Sequence, residues 1–157
     1  MITTHSVDHG TFTIERTYPA TPERVFVAWA DRDTKAAWFA HDPDFFETSG
    51  DYSLDFRVGG HELLDGTLHN GRSFRYDAYF QDIVDGRRIV ASYDVSIDGQ
   101  RTSVSLMTVE LRPAAEGTRL VMTEQGAFFD GLDSNDQRQE GASDMLDKLG
   151  EHLKATG

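Results

Sequence analysis

The chain has 157 residues, 38% hydrophobic and 11% aromatic, with 27 acidic side chains against 15 basic ones and a net charge of −12 at pH 7. That composition excludes a disordered chain and fits one domain with a sizeable core, while the acidic balance disfavours nucleic acid and anionic membranes, which bind basic faces. The absence of cysteine excludes thiol catalysis, zinc–thiolate sites and disulfides, and fits a reducing, cytoplasmic setting.

Residues 1–10 are polar and expected to be loose. Met1-Ile2-Thr3-Thr4-His5 lacks the basic patch and apolar run of a signal peptide. No apolar stretch approaches the roughly 18 residues of a membrane span, so no membrane insertion is expected. Phe12, Ile14 and Tyr18, with Thr13, Glu15 and Thr17 between them, predict a first strand that Pro19 ends. Thr21-Pro22-Glu23 then has the form of a helix start: a capping Thr, Pro at the first helical position, an acid in the first turn. Val25, Phe26 and Trp29 give this short helix an inner face. Asp31 or Asp33 caps a second short helix carrying Ala36, Ala37, Trp38 and Phe39.

His41 to Gly50 has the composition of a loop. Tyr52, Leu54, Phe56 and Val58 alternate with polar residues, which predicts a half-buried strand ended by a Gly59-Gly60 hairpin. Further strands are expected at 61–68, 74–84, 89–97, 102–111 and 118–128, with turns at Asn70-Gly71, Asp85-Gly86 and Asp98-Gly99 between the middle ones. In the 102–111 segment Val104 and Leu106 give way to Met107, Val109 and Leu111. The apolar phase slips by one residue, which predicts a bulge and a bend there.

Ser134 and Gln137 form a capping box at the start of the last helix. Ala142, Met145, Leu146, Leu149 and Leu153 follow at three- and four-residue intervals and make one apolar stripe on a rod about 30 Å long. One strand, two short helices, a run of six hairpin-linked strands and a long helix give an α+β fold with an antiparallel sheet of about seven strands.

Several of these segments resemble a known family. They are Phe12-Thr13-Ile14-Glu15-Arg16, Thr21-Pro22-Glu23-Arg24-Val25-Phe26 with Trp29, Trp38-Phe39, Phe56-Arg57-Val58-Gly59-Gly60, Asp82-Ile83-Val84 with Arg88-Ile89-Val90, and Thr123-Glu124-Gln125-Gly126. Together they resemble the START-like, or Bet v 1-like, helix-grip proteins of the SRPBCC superfamily, in the branch related to the activator of heat-shock-protein ATPase homologues. The resemblance spans nearly the whole chain, 1–157. It implies a curved antiparallel sheet gripping the C-terminal helix around an apolar cavity. It also implies a role such as carrying a lipid-like molecule, or cyclase or aromatase chemistry. Many members place Gly-Trp on the last helix where this chain has Gly141-Ala142. Phe128 or Phe129 would have to fill the space of the missing indole; otherwise a hollow opens.

Candidate site residues follow from the strand faces. Leu120, Met122 and Glu124 share one side of the last strand, so a helix-facing Leu–Met side carries Glu124 inward. Desolvation would raise its pKa and suit it to orient a hydroxyl or act as general acid or base; the plain alternative is a buried acid paired with a Tyr, Arg or backbone N–H. Tyr93 and Tyr52 lie on the apolar faces of their strands and can offer hydroxyls to a ligand or to Glu124. Ser103 and Ser105 line the interior if their half of the strand faces in. Trp38, Phe39, Phe45 and Phe46 are core or lid packing, or the mouth of a cavity. The expected ligand-binding set is Trp38, Phe39, Phe56, Tyr93, Met122, Glu124, Phe128, Ala142, Met145 and Leu149, with Glu124 the one candidate for catalysis.

The six histidines show no metal-ligand spacing, and there is no P-loop, dinucleotide fingerprint or nucleophile elbow, so neither metal nor cofactor is expected. The leading expectation is a small hydrophobic molecule bound or carried without covalent catalysis. The alternatives are an enzyme using Glu124 with a Tyr, and a module that assists a chaperone ATPase, for which no docking patch stands out. A homodimer is left open.

Overall fold

The computed structural model describes residues 5–157. It contains β1 (Val7–Tyr18), α1 (Pro22–Ala30), α2 (Arg32–Lys35) running into a π-helical turn (Ala36–Ala40), and then six strands. These are β2 (Phe46–Leu54), β3 (His61–Leu68), β4 (Ser73–Val84), β5 (Arg88–Ile97), β6 (Gln100–Ala114) and β7 (Gly117–Phe129), followed by α3 (Asn135–Ala155). Of the leading stretch expected to be loose, residues 1–4 lie outside the described residues, while Val7 to Gly10 pair with Phe129 to Gly126 as the first part of β1.

All seven strands form one curved antiparallel sheet in the order β1-β7-β6-β5-β4-β3-β2. β2 to β7 are hairpin neighbours because each connection is too short for anything else. The two edges are β1 and β2, so the α1–α2 segment joins opposite sides of the sheet. Thr21 caps α1 by accepting the Arg24 N–H at 3.2 Å, and Pro22 occupies the first turn. Asp31 ends α1 and caps α2, accepting the Thr34 N–H at 3.0 Å.

Ser134 caps α3, accepting the Gln137 N–H at 3.2 Å. Ala142, Leu146, Leu149 and Leu153 are buried against the concave side of the sheet, each leucine contributing about 2 kcal/mol by leaving water. Polar clasps fix the helix lengthwise. The Tyr18 hydroxyl donates to the Leu146 carbonyl at 2.7 Å, Arg16 to the Ser143 hydroxyl at 2.7 Å, and Arg24 to the Leu153 carbonyl at 2.7 Å.

Two expectations need correction. The strand predicted over 52–58 lies earlier, at Phe46–Leu54. Register breaks between Phe46 and Thr48 and between Ser49 and Tyr52 destroy the alternation there, so a bulged polar strand has the look of a loop. Phe56 continues the alternation from outside the strand. It sits in a turn bonded to Phe80 through Gly59 N–H and Gly60 C=O, and its ring packs on Phe26 and Phe80 at 5.5 and 5.0 Å. Gly60 is obligatory in that turn, since a Cβ would lie 2.0 Å from the Asp55 carbonyl oxygen.

The second correction concerns β6. Ser103, Ser105, Met107, Val109 and Leu111 are all buried in unbroken alternation, and Val104 and Leu106 are exposed on the convex side. The register shift falls instead where Ser96 follows Val95, leaving Thr102 as the extra residue. The apparent slip came from polar residues pointing inward, and they point inward because of what they bind.

Candidate functional site: a cavity under the C-terminal helix

A cavity of about 640 Å³ opens between the first half of α3, the π-helical turn and the concave faces of β2 to β7. Aromatic rings make much of its wall. Phe39 meets Tyr76 edge-on at 5.3 Å, Tyr76 leans on Tyr93 at 4.8 Å, and Phe45, Phe46 and Phe74 form a triangle with centroids 4.7 to 5.5 Å apart. Phe45 is exposed and stands at the rim, whereas Trp38 and Phe46 are buried in the wall. On the helix side the lining is small or flexible: Gly141, Ala142 and Met145.

Six of the ten expected binding residues come together here: Trp38, Phe39, Tyr93, Glu124, Ala142 and Met145. The other four do not line the cavity. Phe56 is in the turn described above. Met122 and Leu149 are fully enclosed in the solid part of the core. Phe128 lies behind the cavity wall, its ring 5.7 Å from the Arg138 guanidinium.

Glu124 is inside, 4% exposed, and the Tyr93 hydroxyl donates to its Oε1. Arg138, from the first turns of α3, organises this end of the cavity. Its Nη1 donates to the Tyr93 hydroxyl at 2.9 Å and to Ser105 at 3.3 Å; its Nη2 donates to Ser103 at 2.8 Å and to Asp133 Oδ2 at 2.6 Å. A continuous line of hydrogen bonds thus runs from Asp133 at the rim to Glu124 within. Arg138 escaped the sequence reading although it lies four residues before Ala142, on the same helical stripe; a cation on an apolar stripe was the available signal.

Burial pushes the Glu124 carboxyl above its ordinary range, opposed by the Tyr93 hydrogen bond and the Arg138 charge. Tyr93 is also raised, by burial first and then by the charge of Glu124. A carboxyl raised in the folded state takes up protons more readily there than when unfolded. Its contribution to stability is therefore fully present below the unfolded value of 4.5 and is lost as pH rises through the folded value. Glu124→Gln keeps the acceptor for Tyr93 and removes the titration. The difference in unfolding free energy between native protein and variant is expected to move in the variant's favour as pH rises above about 4.5. Denaturant melts across pH 4 to 8 measure it, and a pH-independent difference would contradict the assignment.

A second buried polar group lies in the opposite wall. Lys35 and Glu62, 2% and 1% exposed, are paired at 2.8 Å, and the Tyr52 hydroxyl donates to the same carboxylate at 2.6 Å. Lys35 Nζ lies 4.8 Å from the Phe39 ring centre and 5.1 Å from that of Trp29, and it lines the cavity. Tyr52 therefore serves Glu62, while Tyr93 serves Glu124. Glu62 shares a strand face with Leu64, which was its one mark in the sequence.

The sequence matches the Activator of Hsp90 ATPase homolog 1-like protein family over residues 19–154. The chain belongs to this family. A Rhizobium leguminosarum protein is 38% identical with a TM-score of 0.92, the match covering 98% of this chain and 99% of that one. A Rhizobium loti protein is 50% identical with a TM-score of 0.86, over 94% and 99% of the two chains. An AHSA1-like protein of Aeromonas hydrophila shares the fold, at 22% identity and a TM-score of 0.71 over 94% of each chain. No curated protein matches. Among the described residues, no cluster of three or more His, Asp or Glu side chains is placed to hold a metal ion, and no helix is long and apolar enough to cross a membrane.

Proposed function

We propose that this member of the family binds a small, largely apolar molecule in the 640 Å³ cavity, with its polar end against Glu124, Tyr93 and Arg138. The observation that carries the reading is the hollow itself. Protein interiors close up to the density of organic crystals, so a space of this size walled by aromatic rings is ordinarily held open for an occupant. Ala142 is the residue that leaves room for it. The test is to fill the cavity from that side. Ala142→Trp is expected to weaken binding of an apolar fluorescent probe such as N-phenyl-1-naphthylamine at least tenfold while leaving the melting temperature within about 5 °C, because the indole enters existing space. Unchanged probe binding in that variant would remove the cavity as the site.

A second reading draws on one observation, a carboxyl pushed toward its protonated form beside a tyrosine hydroxyl and facing a void. Such a group can donate a proton to a bound ligand. On this reading Glu124→Gln keeps ligand affinity and abolishes turnover of a molecule identified by native mass spectrometry of the purified protein. A variant that turned the molecule over at the native rate would reduce the site to binding alone.

A further inference from the structure

Three tyrosines stand in a row across the concave face: Tyr52 on β2, Tyr76 on β4 and Tyr93 on β5. The hydroxyls of the outer two are each bonded to a buried carboxylate, Glu62 and Glu124. The middle one is different. Tyr76 is 7% exposed and lines the cavity, its ring held by Phe39 on one side and Tyr93 on the other, yet its hydroxyl has no hydrogen-bond partner among the described residues. The residues directly opposite it on the neighbouring strands, Leu64 and Val95, are apolar. Burial raises its pKa strongly, and the Glu62 and Glu124 carboxylates raise it further.

The Tyr76 hydroxyl is open to the cavity, since among the described residues the enclosed side-chain atoms without a partner are Trp29 Nε1 and Asn135 Oδ1; shut away from water without a partner it would be unfavourable. A wholly apolar occupant would shut water away from this hydroxyl and leave it unpaired. An occupant with a hydroxyl or carbonyl at that point would complete it. Charge narrows the choice further. Of the three cations lining the cavity, Lys35 is paired with Glu62, Arg138 with Asp133 and Arg72, out at the exposed rim, with Asp98 at 3.9 Å, while Asp42, Glu140 and Asp144 line the same opening. An acidic ligand would cross a rim of like charge to reach cations that are already neutralised.

Building on the ligand-holding reading above, we infer that Tyr76 is a specificity residue of the cavity. Its hydroxyl takes a hydroxyl or carbonyl group on an uncharged aromatic molecule stacked among Phe39, Tyr76 and Tyr93.

Three probes with one ring system separate the possibilities: pyrene, 1-hydroxypyrene and 1-pyrenesulfonate, titrated by fluorescence at pH 7. The native protein is expected to bind 1-hydroxypyrene about tenfold more tightly than pyrene, the worth of one well-made hydrogen bond, and to bind the sulfonate most weakly. Tyr76→Phe is expected to leave pyrene affinity unchanged and to abolish the advantage of the hydroxyl, with a thermal melt confirming the fold. If pyrene binds as well as 1-hydroxypyrene, or the advantage survives in Tyr76→Phe, the role of Tyr76 is overturned while the cavity reading stands. Preference for the sulfonate overturns the uncharged class. Binding of none of the three removes the cavity reading, and this inference with it.

Discussion

Lys35→Met is expected to destabilise the protein by about 3–5 kcal/mol, lowering the melting temperature on the order of 10 °C. The ammonium and the Glu62 carboxylate are both almost wholly enclosed and meet at 2.8 Å. Removing one partner leaves the other charge in a low-dielectric interior with only the Tyr52 hydroxyl to stabilise it. Methionine retains the packing of the stem against Trp29 and Phe39, so lost volume is a minor part of the effect. The control is the double variant Lys35→Met with Glu62→Gln. The amide still accepts from Tyr52 and carries no charge, so most of the lost stability should return. Urea melts of the two single variants, the double variant and the native protein form a thermodynamic cycle, with a coupling of several kcal/mol expected. A single variant within 1 kcal/mol of the native protein would mean that water reaches this pair from the cavity and that the carboxylate is not stranded.

The fold was more legible than the site, for a physical reason. Strand and helix periodicities report which side of an element faces the interior, and α3, β4, β5 and β7 carry that signal cleanly because their inward residues are apolar. Glu124 was found by parity with Leu120 and Met122. The failures occur where the inner face is polar. Ser103 and Ser105 look like solvent residues until Arg138 is known to bond both, and Val104 and Leu106 then look like core although they are exposed on the convex side. Arg138 itself is distant in sequence from everything it binds except Asp133. The Lys35–Glu62 pair joins residues 27 apart on a helix and a strand, and nothing local announces it. β2 was displaced because its two register breaks hide a strand while Phe56, in a turn, continues the rhythm of one. Polar side chains that serve a cavity thus imitate surface, and their partners are set by the tertiary fold.

The apolar stripe of α3, continuous in sequence, is expected to behave as two parts. Leu149→Ala should cost about 3–5 kcal/mol, whereas Met145→Ala should cost about 1 kcal/mol or less. Leu149 is fully enclosed in the solid part of the core, where a lost side chain leaves a void that the sheet on one side and the helix backbone on the other are too rigid to close. Met145, one turn earlier, is half-buried and already borders the 640 Å³ space. Truncating it enlarges a cavity that exists instead of creating one, and removes few contacts on its open side. The same substitution should alter probe affinity, which Leu149→Ala should leave alone once the protein is folded. Denaturant melts of the two variants, with probe titrations alongside, measure both effects. Equal destabilisation would show that the helix packs uniformly along its length, and the division of its stripe into a clasping half and a ligand-facing half would have no energetic basis.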